Sequence, residues 1–326
     1  METKRPTTPA AEEILGLYFP VLDHGFVSLV DYMGSDEDVE RAARVSYGYG
    51  TRRTSATRGL VRYLRRHRHT TPSEMVELKF HCAMPIFVAR QWIRHRTASV
   101  NEVSGRYSLL PLLYYRPARS EFQAQSASNR QGRDGAPMEA LYDEAIGRWE
   151  RIRTEASSGY EWMVGNDVAR ELARIDLPLS VYTQWYWKID LHNLLHFLSV
   201  RVDAHAQYEI RAFARVMAGM LQRVAPLTFE AWIDYEVAGA VLSRGELAAL
   251  RQLVRVREGA LEGSGARLAA AELEALGLSN REIDELLAKL GSAPPPEDFT
   301  LDPSQARPAE AFAREMEAAV PSVDRR

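Results

Sequence analysis

A single cysteine in 326 residues, Cys82, excludes an intrachain disulfide and a cysteine-built zinc or iron–sulfur cage. A reducing, cytoplasmic setting is the expectation that follows. Nor does any apolar run approach the ~18 residues of a membrane span. The short run Ile14–Val21 follows directly on Glu12 and Glu13, so no signal-peptide core is expected. An excess of either charge is missing too. Forty-one Lys plus Arg against forty-four Asp plus Glu give −3, which argues against nucleic acid or an anionic membrane as a general partner. With 46% hydrophobic and 26% charged residues the composition is that of an ordinary globular protein, which excludes disorder of the whole chain.

Another absence is local. Beyond Tyr235 there is no His, Cys, Trp or Tyr, and the sequence turns rich in Ala, Leu, Glu and Arg, with Gly-Ser-Gly at 263–265 and Pro-Pro-Pro at 294–296 as joints. We therefore divide the chain into a main domain, 1–236, and a helical C-terminal extension, 237–326, of packing or interaction material. Ser243-x-x-Glu246 and Ser279-x-x-Glu282 are capping boxes at the starts of its helices, and Gly291 is a helix stop. Truncation after Glu236 is expected to leave the main domain folded.

Within the main domain, Val76, Leu78, Phe80, Cys82 and Met84 alternate with Glu77, Lys79, His81 and Ala83, the period of a half-buried strand, so Cys82 faces the core. Pro85 suits the first turn of a helix to Arg94, with Ile86, Ala89, Trp92 and Ile93 on one side and Gln91, Arg94 and His95 on the other. Helical spacing is read over 143–173, 179–200 and 205–224. The class expected is α+β: a helix-rich main domain with a small, mainly antiparallel sheet.

Two stretches stand apart chemically. From Arg41 to Ser73 there are nine arginines and no acid, which reads as a docking face for something anionic, as a solvated helix face paired with acids elsewhere, or as a nucleic-acid groove. More pointed is the run from Arg94 to Tyr107, RHRTASVNEVSGRY, where charged, imidazole and hydroxyl side chains enter a loop without apolar periodicity. Arginine offers planar forks for phosphate, and Asn, Glu and Ser can read a base edge, so a nucleotide site is indicated. A nucleophilic Ser99 or Ser104 is disfavoured, since no Gly-x-Ser-x-Gly elbow or base-and-orienter pair accompanies either.

The pattern Arg94-His95-Arg96-x-x-Ser99-x-Asn101-Glu102-x-Ser104-x-Arg106-Tyr107 resembles the signature of flavin-dependent thymidylate synthases at every fixed position. The likeness also covers 23–27, 41–46, 69–72, 85–92, 173–178 and 201–207, and spans about residues 20–235. The resemblance implies a homotetramer that binds FAD and dUMP across subunit interfaces, with NADPH reducing the flavin and methylenetetrahydrofolate supplying the one-carbon unit. It implies dUMP contacts at Gln91, Arg94, Glu102, Val103, Ser104, Gly105, Arg106, Arg174 and Arg201. It implies FAD contacts at Thr71, Arg94, His95, Arg96, Glu102, Asp190, Leu191, His192 and His196. The family's commoner form has Asn and Arg where this chain has Asp190 and His192.

The chemistry agrees with the composition. A buried Cys82 is a poor thiolate, because desolvation opposes its ionisation. The alternative is to polarise the pyrimidine with a fixed cation, and the resemblance gives that role to Arg201. His192-x-x-x-His196 could by spacing bind zinc, but Asn193 stands where a His-Glu-x-x-His motif has Glu and no third ligand is evident, so no metal is expected. His69 and His205 read as residues that tie loops together.

Overall fold

The computed structural model describes residues 6–46, 57–127, 132–257, 260–291 and 297–322. The elements of the N-terminal half are α1 (Pro9–Glu12), β1 (Tyr18–Val21), β2 (Gly25–Met33), α2 (Asp36–Val45), α3 (Thr57–Arg66), α4 (Thr71–Glu74), β3 (Glu77–Pro85), α5 (Ile86–Trp92) and β4 (Ser99–Glu102). There follow β5 (Gln123–Gln125), β6 (Arg133–Pro137), α6 (Glu139–Gly165), α7 (Arg170–Ala173), β7 (Tyr182–Asp190), α8 (Leu191–Arg201), α9 (Tyr208–Val224) and α10 (Pro226–Trp232). The chain closes with α11 (Arg244–Leu253), β8 (Val254–Arg257), β9 (Ala260–Gly263), α12 (Ala270–Ala275), α13 (Asn280–Leu290) and α14 (Ala309–Ala318).

The main sheet runs β1-β2-β3-β7-β4, with every neighbouring pair antiparallel. A helix-rich α+β fold with a small antiparallel sheet is what composition and periodicity predict. The pleat explains the packing. Phe80, Cys82, Trp185 and Trp187 share the face covered by α5, α8 and α9, and Trp92 of α5 sits 5.1–5.8 Å, ring centre to ring centre, from Trp185, Trp187, Phe197 and Phe213. These rings interlock in edge-on, tilted and stacked arrangements and form the centre of the core.

Strand β3 and the inward Cys82 match the period-two reading, and the thiol is fully buried. Three helical readings need correction. Residues 182–190 form β7, not the first half of a helix: Tyr182, Trp185, Trp187 and Ile189 are buried while Tyr186 is exposed, and strand-favouring aromatics carry the segment. The helix begun before 143 ends at Gly165, where Asp167 takes a left-handed φ of 62°, and a separate short α7 follows. Helix α5 stops at Trp92, Pro85 caps it instead of entering its first turn, and its buried face is Val88, Ala89 and Trp92, with Ile93 exposed.

The chain splits into two compact units, Met1–Ala231 with Phe299–Arg326, and Trp232–Asp298. This moves the boundary drawn at 236: residues after 298 belong with the first unit. Phe312 of α14 joins Phe26 and Ala83 in a buried cluster, against Tyr18 and Met316. Tyr18 and Arg307 exchange backbone hydrogen bonds, and His24 Nδ1 lies 2.5 Å from Glu315. Gly219 on α9 makes close approach possible, since a Cβ there would overlap the Phe299 carbonyl oxygen. The second unit has its own small core of Ala249, Leu273, Leu278, Ile283 and Leu286. Both capping boxes form, at Ser243 with Glu246 and at Ser279 with Glu282, and Gly291 follows the last residue of α13. The extension is not wholly helical, because β8 and β9 make an antiparallel hairpin whose second strand ends at Gly263 of the Gly-Ser-Gly joint. The triple proline at 294–296 lies outside the described residues.

We expect Cys82→Ala to leave catalysis intact and to cost about 1 kcal/mol of stability, since it removes only a buried sulfur from a packed sheet face. Denaturant melts paired with turnover assays separate the two effects; a folded but inactive variant would show that the thiol takes part in the chemistry.

Candidate functional site

The residues that the signature singles out gather around the end of α5, the edge strand β4 and the helix α8. Edge strand β4 pairs only with β7, with Val100 opposite Trp187 and Glu102 opposite Trp185, so the pleat puts Glu102 on the helix-bearing face. Thr183 Oγ donates to its carboxylate at 2.6 Å and holds the side chain in place. The chain then turns: Val103 N–H donates to the Gln184 carbonyl, and Tyr107 N–H to the Ser104 carbonyl.

Gly105 is buried in that turn because the neighbours leave no room; a Cβ would come within 3.0–3.1 Å of Leu110 and of Arg174 Cδ. The turn is thereby seated on α7, where Arg106 also pairs with Glu171 at 3.0 Å. Ser104, Gly105, Arg106 and Arg174 therefore form one cluster. Arg94 and Arg96, just past α5, are exposed, Arg174 is half-buried, and none of the three enters an ion pair among the described residues.

A second cluster joins residues that the resemblance divides between two ligands. Arg201 Nε donates to His95 Nε2 at 3.1 Å, with His196 and Phe197 beside the His95 ring at 5.8 and 4.9 Å between centres. Desolvation first, then the charges of Arg201 and His196, hold the His95 imidazole far below its ordinary 6.5, at about 4. It is thus a neutral acceptor that orients the guanidinium through Nε and does not occupy the terminal amino groups. Burial also lowers the pKa of Arg201.

The sign of the pH effect follows. Below pH 6.5 the unfolded chain takes up a proton that folded His95 refuses, so this contribution to stability is complete above 6.5 and is lost as pH falls toward 4. In the flavin-free enzyme the His95 ring protons, followed by NMR, are expected to titrate with a midpoint near 4; a midpoint at or above 6 would contradict the buried geometry.

The remaining predicted residues lie at the start of α8. Leu191 is buried and its N–H donates to the Val76 carbonyl. Asp190 caps α8, accepting from Asn193 N–H at 2.9 Å and from Asn193 Nδ2 at 2.7 Å, a placement that suits a carboxylate at a helix N-terminus. Nδ1 of His192 is buried without a hydrogen-bond partner among the described residues. Thr71 opens α4, which packs beside α8. Among the described residues no three His, Cys, Asp or Glu side chains gather as a metal site. His205 is exposed and bonds, among the described residues, to Asp203 two positions before it, which ties no second loop, and the His69 ring meets the Tyr63 ring of α3.

Two clefts, of about 1040 and 500 Å³, are lined by none of these residues. Beside the predicted residues stand exposed apolar side chains: Tyr107 is 78% exposed and Ile175 67%. Sequence reasoning missed the supports: Thr183 behind Glu102, and the pair Gln207 and Glu209 behind Gln91. No sequence signal marks such contacts, which bridge residues 81 and 116 positions apart.

Four of the nine arginines in the arginine-rich stretch pair with carboxylates, two of them with the same one. Arg41 pairs with Asp38, Arg44 with Glu40, and Arg58 and Arg62 with Glu230, which favours the paired-face reading; Arg52 and Arg53 lie outside the described residues.

Comparison with known proteins agrees with the signature. A family model described as thymidylate synthase complementing protein matches residues 28–227. A flavin-dependent thymidylate synthase of Gluconobacter oxydans is 50% identical over 294 residues, 89% of this chain and 93% of that protein. Another, from Ruegeria pomeroyi, is 49% identical over 81% of this chain and 88% of its own length. An alignment of 294 residues reaches past 236, so the likeness extends beyond the span read from the motifs. Among solved structures, a UMP/dUMP methylase, PolB, from Streptomyces cacaoi bound with 5-bromo-UMP superimposes with a TM-score of 0.60 at 33% identity, covering 67% of this chain and 97% of that one.

Proposed function

The chain belongs to the flavin-dependent thymidylate synthase family, and from that premise we propose that it makes dTMP from dUMP, with methylenetetrahydrofolate as one-carbon donor, FAD as hydride carrier and NADPH as reductant. The observation that carries this reading is the set of arginines, Arg94, Arg96 and Arg174, without carboxylate partners among the described residues of a slightly acidic chain, together with an Arg201 oriented by neutral His95. Unpaired guanidinium groups on one surface are stable only with water or an anion for company, and a nucleotide phosphate satisfies them.

Arg106, Arg174 and the turn from Glu102 to Gly105 hold dUMP. Arg201 then stands over the pyrimidine, where its terminal amino groups favour the enolate-like form that makes C5 nucleophilic. His95 supports this by accepting from Nε, since a protonated imidazole there would repel the guanidinium. The donor set also fits FAD: Arg94, Arg96 and the orphaned His192 Nδ1 offer cation and hydrogen-bond partners to an anionic cofactor, with Thr71, His196 and Leu191 near the same helix. When bound, reduced FAD supplies the hydride that completes the methyl group. Asp190 stands in the same turn as the helix cap. The exposed apolar side chains Tyr107, Leu172 and Ile175 fit a homotetramer in which a second copy completes the pocket, and the single, buried Cys82 fits a cytoplasmic setting.

The test is dTMP formation from dUMP, methylenetetrahydrofolate and NADPH, with and without added FAD. A colourless protein that takes up no FAD, makes no dTMP and binds DNA with a steep salt dependence would replace this reading with that of a basic nucleic-acid binder.

A further inference from the structure

Glu209 is buried, at 2% exposed, in the first turn of α9. Its Oε1 accepts from Tyr115 OH and from Arg133 Nη1, both at 3.0 Å, and its Oε2 accepts from Gln207 Nε2 at 2.8 Å. Gln207 in turn accepts, through Oε1, from Gln91 Nε2 on α5. An ionised carboxylate can only accept, so it dictates the direction of every bond downstream. Gln207 must turn its amino group to Glu209 and its carbonyl to Gln91. Gln91 must then spend its amino group on Gln207, which leaves its carbonyl oxygen facing the site.

We propose that Glu209 is a positioning residue that, through Gln207, fixes the Gln91 amide with its carbonyl outward and so presents an acceptor to a hydrogen-bond donor of the bound nucleotide. This rests on the reading of Gln91 as a dUMP contact. Arg133 also reaches Glu121 at 3.3 Å, so it stays paired when Glu209 is neutralised.

The printed geometry makes the consequence of Glu209→Gln specific. Tyr115 and Arg133 both donate to the Oε1 position and keep an oxygen there, so the new amino group faces Gln207. Two donors cannot meet; Gln207 flips, Gln91 flips with it, and a donor replaces the acceptor in the site. Adding Gln207→Glu restores an acceptor-only partner for Gln91 and should turn its carbonyl outward again.

The experiment measures dUMP affinity by calorimetry on the FAD-loaded enzyme. Glu209→Gln is expected to weaken dUMP about tenfold, the size of one inverted hydrogen bond, with FAD affinity unchanged. The double variant Glu209→Gln with Gln207→Glu is expected to regain most of that affinity, which a merely structural role for Glu209 would not produce. Gln207→Met, which cuts the relay and leaves the buried carboxylate with Tyr115 and Arg133, is expected to weaken dUMP as well and serves where Glu209→Gln does not fold. Unchanged dUMP affinity in Glu209→Gln or in Gln207→Met, or a double variant no better than the single, would overturn the relay. Gln91→Ala separates the premise: if it leaves dUMP affinity intact, Gln91 is not a contact and the relay loses its purpose, whereas a sensitive Gln91→Ala beside an insensitive Glu209→Gln sinks the relay alone.

Discussion

Arg201→Lys is expected to lose on the order of 100- to 1000-fold in kcat while the flavin is still reduced by NADPH, the cost of removing one preorganised donor from a charge-stabilising site. The substitution keeps the charge but not the geometry. Nε of Arg201 donates to His95 at 3.1 Å and fixes the plane of the guanidinium, so its two terminal amino groups point as a fork. A lysine has one ammonium on a flexible stem; if it keeps the contact to His95 it has no second edge to offer the pyrimidine, and if it reaches the pyrimidine it leaves His95 without a donor. The half-reaction with NADPH requires no ionised uracil, so a stopped-flow measurement of flavin reduction should give a near-normal rate in the same preparation. Near-normal turnover at saturating dUMP would reduce Arg201 to a binding residue, with Arg106 and Arg174 next in line for the activating role.

The site is built partly from neighbours in the chain and partly from residues that only packing brings together. The signature from Arg94 to Tyr107 is local, and the side chains that it names are brought to one surface by short connections: α5 ends at Trp92, β4 starts at Ser99, and the turn after Glu102 folds back on α7. Such proximity follows from chain continuity, which sequence reasoning handles well. A helical reading of residues 182–190 arises because Leu179, Tyr182, Trp185 and Ile189 recur at intervals of three and four; the aromatic, β-favouring composition decides for a strand there, its pairing with β3 seals the choice, and the helix starts only at Leu191. The coupling of His95 to Arg201, 106 positions apart, and the relay from Glu209 depend on how α5, α8 and α9 pack on one sheet face. No periodicity encodes that. The same holds at the C-terminus, where loss of catalytic residue types looked like the end of the working domain, yet hydrophobic side chains without chemistry return to its core.

Phe312→Ala is expected to cost about 3–5 kcal/mol, the range for truncating a buried aromatic ring, although it lies far along the chain from every predicted site residue. The ring is 3% exposed, with its centre 4.9 Å from that of Phe26 and 6.0 Å from Tyr18, and the Arg307 guanidinium stacks over it at 4.5 Å. Phe26 is on β2 opposite Ala83 of β3, so the cavity would open directly on the middle of the sheet. The opposite sheet face is already filled by α5, α8 and α9, and cannot move to close it. Truncation after Asp298 would do more, stripping Phe26, Ala83 and Tyr18 of their cover together and leaving the site beside Gly219 without Phe299 and Leu301, so aggregation is the expected result. Glu317→Ala, on the exposed side of the same helix, should change stability by no more than about 0.5 kcal/mol. Urea unfolding of the FAD-loaded full-length variants measures the difference. Equal midpoints for Phe312→Ala and Glu317→Ala would mean that the last helix does not cover the sheet in solution, and a soluble, flavin-binding truncation after Asp298 would return the boundary to 236.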